Sequence, residues 1–220
     1  MEKTTLKSNL RIGLGLSLLI LFITSLASFI SIKNLIRSSD MVSHSNEMIT
    51  KLESVISTLK DAETGQRGYL LTGDKDFLAP FHGAKEKSLS LLTDITLSTR
   101  DNAFQQQNVK LLQDIIEERL DIIEKTLVVK ARGGNASVDE LLNGKTYMEK
   151  ARAVTKKMQA EEIRLLEVRT NDLNEIAAYT PILIIIAAVL AVLITIFFYR
   201  KVSMDFTTRM RLQQELQQKN

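Results

Sequence analysis

Two polar residues, Glu63 and Gln66, interrupt a helical seam that is otherwise apolar, and Arg67 lies beside them. Hydrophobic residues recur with heptad spacing from Leu35 to Leu59, and the continued pattern places Glu63 and Gln66 at core positions. An unpaired buried carboxylate is costly, so we expect Glu63 to have a cationic partner. Arg67 follows four residues later, which is the spacing of helix neighbours that form ion pairs.

Arg152 is a second candidate partner for Glu63, because an antiparallel fourth helix would bring it to a similar height above the membrane. The cluster has two interpretations: a structural polar layer that fixes helix register, or a ligand-recognition pocket. Tyr69 is predicted to be a core aromatic rather than a recognition residue. Gly65 and Gly68 each cost a helix about 1 kcal/mol relative to alanine. We expect them to allow tight helix packing, with a ligand niche as the alternative.

Stop and cap signals divide the middle of the chain into four helices that would position this cluster. The first is predicted to end at Gly73, the second to run from residues 76–80 to 99, the third from 101–102 to 133, and the fourth from 146. Ser137 and Glu140 have capping-box spacing, which predicts a short helical turn up to Gly144. Short connections and one apolar face per helix predict an all-α, up-down-up-down four-helix bundle.

Two long uncharged apolar runs, residues 12–32 and 177–199, flank this bundle. Each is long enough as a helix to cross a hydrocarbon core of about 30 Å, and the first exceeds the usual length of a signal peptide. Both tails are basic, so we expect both termini in the cytoplasm and the bundle outside. Pro181 is a candidate hinge in the second run, unless neighbouring groups simply accommodate it. The predicted parts are a tail (1–11), a span (12–32), a sensor domain (33–176), a span (177–199) and the start of a signalling helix (200–220).

The polar cluster lies inside a longer segment that resembles a known family. Residues 61–74, DAETGQRGYLLTGD, followed by Phe77-Leu78 and Pro80-Phe81, resemble the signature of the type-three CHASE domain, an extracytoplasmic sensory module of bacterial receptors. Residues 144–152 and 161–169 are similar to the family's fourth helix. The resemblance implies a four-helix bundle between two membrane helices, usually followed by cytoplasmic sensor, histidine-kinase, cyclase or chemoreceptor modules. It supplies no binding residues, because the ligands of this family are mostly undefined.

No residue pattern in the sequence indicates catalysis. The chain has no cysteine, and its two histidines lie outside the kind of segment that carries a phospho-accepting histidine. Gly133-Gly134 lacks the lysine of a phosphate loop, and Glu161-Glu162 is interpreted as an ordinary solvated or ion-paired helix face. The excess of basic residues lies in the tails, which argues against nucleic acid as a partner. We therefore expect no catalytic residue, no cofactor and no metal.

The tail from Val202 to Leu216 has a helix-like apolar pattern, typical either of a helix that dimerises as a parallel coiled coil or of a short tail held at the headgroups. We predict a parallel homodimer in the bacterial inner membrane, in contact with lipid. It would sense an unknown extracytoplasmic ligand or protein and signal to a histidine kinase in the same chain. The alternatives are a stand-alone protein that modulates a neighbouring receptor or envelope complex, and the input end of a cyclase-type receptor. The family's common architecture continues past Asn220 into an output module, so we expect these residues to be either a naturally short receptor or a fragment of a longer one.

Overall fold

The computed structural model describes residues 3–218, which form helices and turns and contain no strand. The described elements are α1 (Lys3–Thr72), a short 3₁₀ helix (Lys75–Leu78), α2 (Ala84–Ser98), α3 (Ala103–Ala131) and α4 (Val138–Gln218). The predicted all-α fold with four long helices is therefore confirmed. The chain divides into two compact units, one formed by residues 41–169 and the other by the segments before and after it.

Within residues 41–169, the apolar faces of the four helices pack into one hydrophobic core. The heptad residues Leu52 and Leu59 of α1 are each 1% exposed, as the sequence predicts. Each fully buried side chain of this size stabilises the fold by about 1.5–3 kcal/mol. Other large, fully buried core residues are Met48, Leu92, Ile95, Leu112, Ile116, Ile123, Met148 and Met158.

The ends of α1 and α3 follow from local sequence signals. Gly73 has φ 75°, a left-handed conformation that glycine adopts without a side-chain clash, and its N–H donates to the carbonyl of Tyr69 at 2.8 Å. This conformation ends α1 at Thr72. Asn102 caps α3, its side chain accepting a hydrogen bond from the backbone N–H of Gln105 at 3.2 Å.

The predicted start of α2 at residues 76–80 was wrong. Residues 75–78 form the 3₁₀ helix, Pro80 lies in the turns that follow, and α2 begins at Ala84. The reason is Gly83, whose φ of 80° cannot continue a right-handed helix from the turns into α2. The predicted end near Thr99 agrees with the structure.

The predicted break before the fourth helix was also wrong. The capping box forms, since the N–H of Ser137 donates to the Glu140 carboxylate at 2.9 Å and the N–H of Glu140 donates to Ser137 Oγ at 3.2 Å. This box opens α4 itself, and the helix continues through Gly144 without interruption. A single glycine costs a helix only about 1 kcal/mol, which burial of nearby core residues such as Met148 and Ala151 outweighs.

In the unit formed by the outer segments, α1 and α4 are each long and apolar enough to cross a membrane. Their most apolar windows have mean hydropathies of 2.2 and 3.1, a finding that fits a membrane protein. The two helices approach each other at Ser31 and Thr180, whose hydroxyl oxygens lie 2.5 Å apart. The helix continues through Pro181, so the role of this residue as a hinge stays a prediction.

Candidate functional site

Glu63 of α1 forms the ion pair that its spacing predicts. Its Oε1 lies 2.6 Å from Nη2 of Arg67, and the Glu63 side chain is only 12% exposed while that of Arg67 is 68% exposed. Arg152 does not form the predicted alternative pair. It is exposed on α4, because the residues of that helix turned to the core are Met148, Ala151 and Thr155. Arg152 instead lines a second surface pocket, of about 370 Å³, that is also lined by Glu63 and Arg67.

The buried cation beside this pair is Arg119 of α3, which was not among the site residues predicted from the sequence. Its side chain is 4% exposed, and its Nη2 donates to the Gln66 side-chain oxygen at 3.2 Å and lies 4.0 Å from Glu63 Oε1. A sequence signal for it exists. Arg119 falls between Leu112, Ile116 and Ile123 in the helical spacing of the buried α3 face, where an arginine is unusual.

Gln66 joins α1 to α3 in the same layer. Its Nε2 donates to Thr126 Oγ1 at 2.6 Å, and the Thr126 hydroxyl donates to the backbone carbonyl of Ile123 at 2.7 Å. The side-chain oxygen of Gln66 also accepts a hydrogen bond from Arg119, so both the NH₂ group and the oxygen of this buried amide have partners. We call Glu63, Gln66, Arg67, Arg119 and Thr126 the upper polar layer.

A cavity of about 310 Å³ opens beside this layer. Four members of the layer line it, all except Thr126, and the remaining lining residues come from the end of α1 and the start of α4: Leu70, Leu71, Glu140, Leu141, Gly144 and Lys145. Burial lowers the pKa of the Arg119 guanidinium, an effect that the Glu63 carboxylate opposes and the charge of Arg67 reinforces. Among the described residues, Nε and Nη1 of Arg119 have no hydrogen-bond partner although both are buried.

A second buried network lies elsewhere in the bundle, centred on Glu162 of α4. The Glu162 carboxylate accepts hydrogen bonds from Gln105 Nε2 of α3 at 2.8 Å and from Ser45 Oγ of α1 at 3.2 Å. Arg169 Nη1 donates to Ser45 Oγ at 2.5 Å and lies 4.0 Å from the Glu162 carboxylate. We call these four residues the lower polar layer.

The interpretation of Glu161-Glu162 as one ordinary helix face was therefore half right. Glu161 is partly exposed and binds the exposed Arg164 with contacts of 2.8 and 2.9 Å, and this pairing lowers the pKa of the Glu161 carboxyl. Glu162, one residue further, turns inward and is 2% exposed.

The two glycines of the signature allow the 3₁₀ helix to approach α1. A Cβ built on Gly65 would clash with the backbone carbonyl oxygen of Phe77, and one built on Gly68 would clash with the Phe77 ring. The expected tight packing is thus present, although its partner is the 3₁₀ helix and not another long helix. Tyr69 packs in the hydrophobic core, 5% exposed.

The groups around the cavity are of the kinds that line binding pockets, and they do not resemble a metal centre. Among the residues that the structure describes, no cluster of three or more His, Asp or Glu side chains could hold a metal ion. Arginine donors, one paired carboxylate and leucine side chains around a cavity are the features of a binding pocket.

No curated protein and no solved structure matches this chain. A family model of the CHASE3 domain does match, over residues 38–172, which are 135 of the 220 residues. The match covers all four helices of the bundle and falls inside the range that the signature residues predicted. CHASE3 domains are extracytoplasmic sensory domains of receptors. The chain therefore belongs to the CHASE3 family.

Proposed function

We propose that this chain is the input module of a membrane receptor, which senses an extracytoplasmic signal and passes it through two transmembrane helices to a cytoplasmic output. One observation carries the proposal: α1 and α4 each include one helix of the sensory bundle and an apolar segment of membrane-spanning length. Neither helix ends between these two parts. A helix without a break has no loop that could absorb a small shift or rotation.

The proposed orientation places the bundle outside the bacterial inner membrane and both termini in the cytoplasm. The basic residues of the two tails support this orientation, since positive charge accumulates on the cytoplasmic side. The chain has no cysteine, so single cysteines can be labelled without background. In intact cells, a membrane-impermeant maleimide should label N135C in the α3–α4 loop and should leave S203C unlabelled until the cells are lysed. Labelling of S203C alone would reverse the topology.

The proposed unit is a parallel homodimer whose output is a histidine kinase, in the same chain or in a neighbouring receptor. Membership of a receptor sensory family supports a receptor role, and the extension of α4 to Gln218 supplies a helix on the output side. Signal transfer requires two arrangements of the helices for which the ligand has different affinities. We propose no catalytic activity for these 220 residues themselves.

In-cell disulfide crosslinking tests this proposal directly. Single cysteines would be placed at successive positions from 164 to 176 and from 202 to 216, and dimer formation would be measured after oxidation. Crosslinking with helical periodicity in both windows is the expected result for a signalling dimer. Periodicity in the first window alone would point to the alternative, a tethered module that modulates a neighbouring receptor or envelope complex. No crosslinking in either window would exclude the homodimer.

A further inference from the structure

We infer that the cavity beside the upper polar layer binds a small organic monocarboxylate, held by the guanidinium of Arg119. This inference rests on the proposed function only for the statement that the bound acid acts as the receptor's signal. Binding of the acid to the bundle is measured separately. The first ground for it is Arg119 itself, which is 3% exposed, lines the cavity and has two buried nitrogens without a partner.

A purely structural role does not account for these two nitrogens. A buried polar group left without a hydrogen bond lowers the stability of a fold, and a charged group does so more strongly. The Glu63 carboxylate is 4.0 Å from Arg119 Nη2 and is held more closely by Arg67, at 2.6 Å. The guanidinium is therefore only partly matched by the protein, and a small movement of its side chain into the cavity would let Nε or Nη1 meet a ligand oxygen.

The charges around the cavity select the charge of that ligand. The lining contains three cations, Arg67, Arg119 and Lys145, and two carboxylates, Glu63 and Glu140, which leaves a net charge of +1. Glu140 is already used by the capping box. A monoanion would balance the site, whereas a dianion such as phosphate would leave excess negative charge next to the Glu63 carboxylate. Planar carboxylates also match the hydrogen-bond geometry of arginine.

The size and walls of the cavity define the rest of the molecule. At about 30 Å³ for each water-sized group, a volume of about 310 Å³ holds roughly ten such groups. Leu70, Leu71 and Leu141 contribute apolar surface to the walls. Gly144 lies against the guanidinium, because a Cβ built there would be 3.1 Å from Arg119 Nη1. We therefore expect an acid of about ten non-hydrogen atoms in all, with one carboxylate and an apolar body.

Phenylacetate and phenylacetamide are suitable probes, because they have the same size and shape and differ in charge. Ligand-observed NMR titrations would use the full chain in lipid nanodiscs at neutral pH, with empty nanodiscs as the blank. We expect saturable binding of phenylacetate and binding of phenylacetamide that is about tenfold to hundredfold weaker, the loss typical of a hydrogen bond to a charged group. Equal binding of the two probes, or no binding of phenylacetate, would overturn the inference without touching the proposed receptor role.

R119M should remove the preference for the acid, so that both probes bind equally weakly. The matched control is R164M, the same substitution at an exposed arginine that pairs with Glu161 on α4, and it should keep the full preference. If R119M does not fold, R119K preserves the charge with fewer donors and should retain part of the preference. The comparison of the two probes on the unchanged protein needs no variant.

Competition with inorganic phosphate distinguishes a site for monocarboxylates from a general anion site. Phosphate should not displace phenylacetate at equal concentration. Displacement at equal or lower concentration would show a general anion site and would contradict the assignment to monocarboxylates.

Discussion

Replacing Glu162 by alanine should destabilise the bundle far more than replacing its neighbour Glu161. The Glu162 carboxylate is buried and accepts two hydrogen bonds, from Gln105 at 2.8 Å and from Ser45 at 3.2 Å. A hydrogen bond to a charged group contributes about 1.5–3 kcal/mol, so the loss of both lowers the free energy of unfolding by about 3–6 kcal/mol. Glu161 binds only the exposed Arg164, and such surface pairs contribute about 0–1 kcal/mol.

The two variants can be compared by thermal unfolding of the full chain in lipid nanodiscs. In a protein of this size, 1 kcal/mol shifts Tm by about 2–4 °C, so E162A should lower Tm by about 6–24 °C and E161A by no more than about 4 °C. E162Q should fall between E162A and the unchanged protein, because its amide oxygen can still accept from Gln105 while its NH₂ group replaces a carboxylate oxygen near Arg169. Equal Tm values for E162A and E161A would refute the assignment of Glu162 to a buried network.

Three further predictions concern single side chains. G65A should lower Tm in spite of the better helix propensity of alanine, because the new Cβ must displace the Phe77 carbonyl; a raised Tm would contradict the close approach. E63A should lower the free energy of unfolding by about 1.5–3 kcal/mol and leave membrane insertion and topology intact, and unchanged melting together with unchanged signalling would remove both roles of this residue. Arg164 lowers the pKa of Glu161, so the pair stabilises the fold above about pH 4.3 and its contribution is lost as the pH falls through the lowered pKa. The stability of E161Q, followed by acid unfolding, should therefore depend less on pH in this range.

The helix boundaries that could be predicted from the sequence were those set by local chemistry. Gly73, Asn102 and the Ser137–Glu140 box act within one helical turn, so neighbouring residues contain the whole signal. The start of α2 was missed because proline was taken to mark the first turn of the helix, whereas the left-handed conformation of Gly83 sets the boundary.

The candidate site was predicted on α1 and missed on α3 and α4 for a physical reason. Counting residues gives the height of a side chain along a helix but not the rotation of that helix against its neighbours. Arg152 has a suitable height and points to solvent, whereas Arg119 and Glu162 point inward. Charged residues are rarely buried, so Glu162 was interpreted as part of an ordinary helix face and Arg119 was not considered.

The two polar layers also limit how far the helices of the bundle can slide. Ser45 and Gln66 are 21 residues apart on α1, which is three heptads and about 31 Å at 1.5 Å per residue. Axial movement of α1 by one turn, about 5.4 Å, would separate Gln66 from Thr126 and Ser45 from Glu162 at the same time. A shift of α1 by one turn would therefore leave buried donors and acceptors unpaired in both polar layers. The bundle therefore favours piston displacements well below one helical turn, of the 1–2 Å size known for helix shifts at interfaces, which small side-chain movements can follow.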